Sequence, residues 1–291
     1  MSKVFKQEVD TKEQRSGGPL LITLLFKQSV DLPEIQRIAE VCRKHIGNVE
    51  CRKDDDKSLF IFALDHIAKF QDGEAPVQLL LTSCANFDGK TVDDFTRSQM
   101  WDCQESHDRI LEECRYSMLA TDFLAGGLLS LERANLEMDF LAALAELFPS
   151  CEAFFFNISG KLFKADEIRN NQIEGSDRFI RYAVNVRFFT IQGTNDMMVD
   201  TLGMGTLCIP DIQYHFHDLN PNLIVNHAYN VASYLLSSGN EINSGETVDG
   251  IKDGQMDSSI QWKCQYENAL IQPNRIVLDI DMEEYSSGKR E

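Results

Sequence analysis

The spacing of apolar residues along this chain switches repeatedly between a period of two and a period near 3.6, in runs of strand or helix length. The run LLITLLF, Leu20–Phe26, is short and continuously apolar, which suits a central strand buried on both faces. A helix is expected next, with Asp31 as its cap and Glu34 three residues on. Ile35, Ile38, Cys42 and Ile46 form its buried stripe, and Gly47 ends it. Val49–Lys53, Ser58–Leu64 and Pro76–Cys84 read as three strands, the first two forming a hairpin around Asp54-Asp55-Asp56. Asp93–Glu113 reads as a helix and Arg115–Phe123 as a strand. Leu131–Phe148 is the clearest helix, with Leu136, Phe140, Leu144 and Leu147 at helical spacing and Pro149 as its stop.

A strand, CEAFFFNI, follows, and then a polar, turn-rich stretch from Ser159 to Asp177. Beyond it, Arg178–Ile191 and Met197–Ile212 read as long paired strands joined by Gly193-Thr194-Asn195-Asp196. Asn220-Pro221 opens a helix that runs to about Leu236, with Asn as cap and Pro at the first helical position. Ser237–Gln261 reads as a long loop and Arg275–Met282 as the closing strand. The fold class expected is α+β, with mixed, largely antiparallel sheets covered by helices. At 291 residues the chain suits one large unit or two packed α/β sandwich halves. Residues 1–17 read as a flexible arm, 18–285 as the α+β unit with a seam near 158–177, and 286–291 as a C-terminal tail.

Composition, at 43% hydrophobic and 25% charged, is that of a globular protein, and no apolar run reaches membrane-spanning length. The polar N-terminus lacks the apolar core of a signal peptide, so the expected location is the cytoplasm. Eight scattered cysteines without a CxxC pair then read as small buried hydrophobes. The formal net charge of −18 disfavours nucleic acid and anionic membrane as partners and favours a basic protein.

Candidate chemistry centres on DIQYHFHDLNPNLIVNHAYN, Asp211–Asn230, which holds three of the six histidines. In an extended segment His215 and His217 project from one face. His227, on the following helix, could fold back as a third zinc ligand, with Asp211 or Asp218 as fourth ligand or general base. Against this, His227 shares the apolar stripe of Leu223, Val231 and Tyr234, the place of a core-edge histidine satisfied by a carbonyl. A pH-sensitive surface is a third reading. Cys103, His107, Ile110 and Cys114 fall on one helical face and read as a core stripe rather than a reactive dyad. Phosphate-loop, dinucleotide, nucleophile-elbow and HExxH patterns are absent from the sequence.

The blocks SQMWDC, CRYSMLATDFLAGGLLSLERANLEMDFLAALAELFPSCEAFFFNISGKLF, VDTLGMGTLCIPDIQYHFHDLNP and IQPNRIVLDIDM, in this order, resemble domain of unknown function 4261. The resemblance implies a cytoplasmic bacterial α+β protein, with TLGMGTLCIPDIQ and the following helix in the family core, and it transfers no catalytic residue and no cofactor. The −18 charge, the missing cofactor motifs and the cytoplasmic reading lead to the function expected, a non-enzymatic acidic binding protein that engages a basic protein partner as an immunity-type protein would. The alternative is a metal-dependent hydrolase built on His215, His217 and His227.

Overall fold

The computed structural model describes residues 18–54, 57–170, 173, 175, 177–239 and 241–288; the expected arm, 1–17, lies outside them. The described chain forms two compact units, 18–183 and 184–288. Each is built on its own sheet, and together they make a mixed α+β architecture with largely antiparallel sheets.

In the first unit the elements are β1 (Leu21–Phe26), α1 (Ile35–Ile46), β2 (Val49–Asp54), β3 (Ser58–Phe70), β4 (Gly73–Thr82), β5 (Ala85–Asn86), α2 (Asp94–Ser98), α3 (His107–Glu113), β6 (Tyr116–Phe123), α4 (Ser130–Leu147), β7 (Ala153–Phe156), β8 (Lys161–Lys164), α5 (Ala165–Asn170) and α6 (Asp177–Tyr182). The sheet order is β2-β3-β4-β6-β1-β7-β8, with β5 also on β6, and β1 lies inside it as its apolar run requires. Phe26 packs edge-on against Phe148 at the end of α4. Leu25, Ala153 and Phe155, on the alternate positions, pack instead with Val92, Met100, Cys103, Ile110 and Cys114.

Those last residues belong to the stretch expected as one helix over Asp93–Glu113. It is two short helices, α2 and α3, with 3-10 turns at Gly89–Thr91 and Trp101–Cys103. Cys103 and Cys114 are still buried, because the broken segment folds its apolar positions onto the sheet. The helix α1 starts after Glu34 rather than being capped by Asp31.

The second unit holds β9 (Asn185–Thr190), β10 (Met197–Leu202), β11 (Asp211–Phe216), α7 (Pro221–Ser238), β12 (Thr247–Lys252), β13 (Gln255–Asn268) and β14 (Ile276–Asp281). Its order is β12-β13-β14-β11-β10-β9, antiparallel except for the parallel pair β11–β14. The β11–β14 crossover passes through α7, which packs on β9, β10, β11 and β12.

Three expected elements differ. Arg178–Tyr182 is helical, and the strand begins only at Asn185. Met197–Ile212 is not one strand: Gly203, at φ 127, lets the chain leave β10 and return as β11. The stretch expected as a loop over Ser237–Gln261 contains the hairpin β12–β13, closed by Asp253-Gly254. Its outer strand is mostly polar, so the apolar pattern does not reveal it. No helix among the described residues is long and apolar enough to cross a membrane.

Candidate interaction surface and the histidine segment

Strand alternation sets the histidines apart. Tyr214 points toward α7, where its hydroxyl lies 2.8 Å from His227 Nδ1. His215 and His217, at the intervening positions, point to the opposite face of the sheet.

His227 Nε2 lies 2.7 Å from the Asp249 carbonyl, which can only accept, so this nitrogen carries the hydrogen. Nδ1 is therefore the acceptor for the Tyr214 hydroxyl, and both ring nitrogens are engaged. The Asp249 carbonyl sits at a register shift between Asp249 and Gly250, where the β12–β13 ladder is interrupted. Trp262 covers the other side of the imidazole, with ring centroids 4.9 Å apart. Burial lowers the basicity of His227 below the ordinary value of 6.5, so the ring is neutral.

His215 and His217 hold the end of the described chain against β11. Ser287 N donates to the His215 carbonyl and His217 N to the Tyr285 carbonyl, while Ser286 forms a bridge with Phe216. The Ser287 hydroxyl lies 2.9 Å from Asp196 Oδ1 and 3.0 Å from His217 Nδ1. His215 Nε2 lies 3.5 Å from Asp196 Oδ2. In a nucleophilic triad the imidazole stands between hydroxyl and carboxylate. Here the hydroxyl stands between carboxylate and imidazole, and Ser287 is itself buried. Among the described residues no group of three or more His, Cys, Asp or Glu side chains is placed to hold a metal ion. Asp218 lies 3.9 Å from His217, on an exposed turn, and Asp211 faces a different set of partners.

Those partners form a buried charge cluster that the sequence reading missed. Asp200 on β10 accepts from both Arg187 on β9 and Arg275, the latter at 2.8 Å. Arg275 also donates to Asp211 Oδ2 at 3.0 Å, and Asp211 Oδ1 accepts from Thr201 and from Met204 N. Gln213 donates to Asp279 and accepts from Leu270 N. Burial raises the Asp211 carboxyl above its ordinary value, opposed chiefly by Arg275. This cluster ties four strands and the 270–275 loop together and spends its polar groups internally, which is the work of architecture.

Among the described residues, the first unit carries most of the exposed large apolar side chains. Past Ala63, β3 shifts register against β4, and the pair continues from Ile67↔Pro76 to Phe70↔Gly73, whereas β2 stops opposite Ala63 and β6 opposite Gln78. The hairpin therefore outruns its neighbours. The turn Ala125–Gly127 lies against it: a side chain at Gly127 would come within 2.9 Å of the Phe70 ring and 3.0 Å of Ala68 Cβ. His66 Nδ1 reaches Glu132 Oε1, at the start of α4, at 3.2 Å.

Ile67, Phe70, Phe123, Leu124, Leu129 and Leu131 lie toward this end of the unit and each is exposed, Leu129 at 79%; Phe70 shares the Ala68 face with the 125–127 turn, while Ile67 and Phe123 project from the opposite face. Leu124 adopts φ 68, a left-handed conformation that costs a bulky side chain about 1–3 kcal/mol. Below the loop, Asp122 accepts from Leu20 N and from Arg133, which also donates to Glu137 and to the Gly18 carbonyl. That buried cluster pins the strand end from which Phe123 and Leu124 emerge. Around the apolar end stand exposed Asp65, Asp72 and Glu74, with Lys69 as the exposed base among them.

Two sheets of largely antiparallel strands, one crossed by a buried Arg/Asp cluster and one ending in exposed apolar side chains, define a mixed α+β scaffold. Residues 200–281, which span β10 to β14 and hold most of the Arg/Asp cluster as well as His215, His217 and His227, match the family model described as Domain of unknown function (DUF4261). No curated protein and no solved structure matches the chain.

Proposed function

We propose that the protein is a binding protein that engages a basic protein partner through the apolar tip of its first unit. The observation that carries this reading is the exposure of Ile67, Phe70, Phe123, Leu124, Leu129 and Leu131 toward one end of the first unit. A folded chain ordinarily buries such side chains, and their concentration at one end of the unit supports a contact surface there. Large apolar side chains supply the desolvated anchor of an interface, and a charged rim supplies orientation and encounter rate. The rim is acidic here, as is the whole chain at −18, so the complementary partner is basic. The strained Leu124 supports the same reading, since an unfavourable backbone that presents an apolar side chain to solvent gains nothing from folding alone.

The test compares wild type with the double variant Phe70→Asp/Leu129→Asp as baits in extract of cells that naturally make the protein, at low and at high salt. The expected result is a basic protein retained by wild type at low salt, depleted at high salt and lost from the variant, whose circular dichroism is unchanged. Identical recovery by both baits would count against the tip as the binding surface.

A further inference from the structure

The β3–β4 hairpin runs on past both of its neighbours, and its two outer edges differ. Phe70 and Gly73 flank a two-residue turn, so they form the hydrogen-bonded pair that closes the hairpin. Counting back along the register, Ala68↔Ala75 is again a hydrogen-bonded pair. Lys69↔Glu74 and Ile67↔Pro76 are then the pairs whose backbone N–H and C=O groups point outward. Pro76 fits this phase, since it has no N–H to give to the ladder.

Below Gln78 the β4 edge has lost β6, and there Pro76 offers no donor, so that edge is blunted. The β3 edge is open. Its neighbour β2 begins with Val49 opposite Ala63, and a backbone bond from Leu64 N to the Asn48 carbonyl, at 2.8 Å, closes that pairing. Past it, Ile67 and Lys69 direct two N–H and two C=O groups to the side where β2 is no longer present. Both residues are exposed, and the 125–127 turn lies on the opposite face, over Ala68 and Phe70.

We propose that Ile67–Phe70 of β3 accept an extended segment of the basic partner as an added strand, in line with β2. This inference rests on the reading of the tip as the contact surface and specifies how the tip binds. Main-chain bonds to Ile67 and Lys69 supply affinity, and alternate side chains of the segment, set against Ile67 on one face and Phe70 on the other, supply selection. The bulge before Ile67 and the Lys69 ammonium are devices that keep an edge from indiscriminate pairing. The exposed carboxylates of Asp65, Asp72 and Glu74 outnumber Lys69 and favour a segment that carries Lys or Arg.

Amide hydrogen exchange of the free full-length protein, read residue by residue by NMR, tests the edge itself. The Ile67 and Lys69 amides should exchange about tenfold or more faster than those of Ala68 and Phe70. Equal protection at all four would overturn the proposal. The bait experiment in cell extract then tests occupancy with two substitutions at one position. Lys69→Ala keeps the outward N–H, and Lys69→Pro removes it without touching a bond to β4. Lys69→Ala should retain the basic protein that wild type captures, and Lys69→Pro should recover about tenfold less. Adding the captured protein should slow exchange at Ile67 and Lys69. If wild type captures no basic protein, the reading of the tip fails and strand addition fails with it. If wild type and Lys69→Pro capture it equally, or both amides stay fast in the complex, the tip reading stands and strand addition is overturned. The exchange measurements need no variant, so they decide the matter even if Lys69→Pro folds poorly.

Discussion

Replacing Tyr214 by Phe removes one hydroxyl and leaves His227 Nδ1 without its donor in a buried setting. The opposite nitrogen must keep its hydrogen for the Asp249 carbonyl, so a change of tautomer cannot repair the loss. An unsatisfied buried acceptor costs about 1–3 kcal/mol, and urea unfolding of Tyr214→Phe should show a loss in that range. Glu137 gives a second test at this scale. Burial pushes its carboxyl up to about 8, with Arg133 pulling down and Asp122 pushing up. The unfolded chain releases this proton near the ordinary value of 4.5, whereas the folded chain keeps it until about 8. The stability Glu137 contributes is therefore complete below 4.5 and is lost as pH rises from there through about 8. Glu137→Gln, which needs no proton, should gain on wild type by on the order of 2 kcal/mol between about pH 5 and pH 8, measured by unfolding at each pH. The carbonyl-satisfied reading of His227 was available from its apolar stripe. The identity of the carbonyl was not, because Asp249 reaches it through a hairpin with little apolar pattern of its own.

Among the elements, those governed by local signals were legible. Asn220 accepts from Asn222 N and Pro221 begins α7, as the Asn-Pro pair implies, and the apolar run of β1 lies inside its sheet. Elements whose state depends on distant partners were not. The residues of α6 read equally well as strand, and β12 and much of β13 are polar because they lie toward the sheet edge. The Arg187–Asp200–Arg275 cluster was invisible for the same reason: its bonded members Asp200 and Arg275 lie 75 residues apart and meet only when β9, β10 and the 270–275 loop assemble. Breaking a buried ion pair on one side leaves an uncompensated charge. Arg187→Ala should therefore destabilise the second unit by about 3 kcal/mol, the low end of the usual range because Arg275 still meets Asp200. Trp262, buried in that unit, reports its unfolding by fluorescence in a Trp101→Phe background, since the chain has two tryptophans.

At the scale of the whole molecule, charge was legible from composition, but the place where it acts was not. Phe70, Phe123 and Leu129 look like ordinary core residues in the sequence; Phe70 is exposed because β3 and β4 continue where β2 and β6 have ended, Phe123 ends β6 and Leu129 precedes α4. The buried Asp122–Arg133–Glu137 cluster beneath them makes the tip a fixed surface, so substitutions on it should alter binding without altering the fold. Phe123→Asp should leave the unfolding midpoint within about 0.5 kcal/mol of wild type, as for other exposed positions. We propose that this tip contacts a basic protein. The most direct measurement places a photo-crosslinking residue at position 129 and, separately, at the exposed Tyr234 of the second unit, in cells that naturally make the protein. The predicted result is a crosslinked basic protein from position 129 alone, which rebinds the purified chain in a salt-sensitive manner and fails to rebind Phe123→Asp. Crosslinks of equal yield from both positions, or crosslinking at position 129 only to a second copy of this acidic chain, would contradict it.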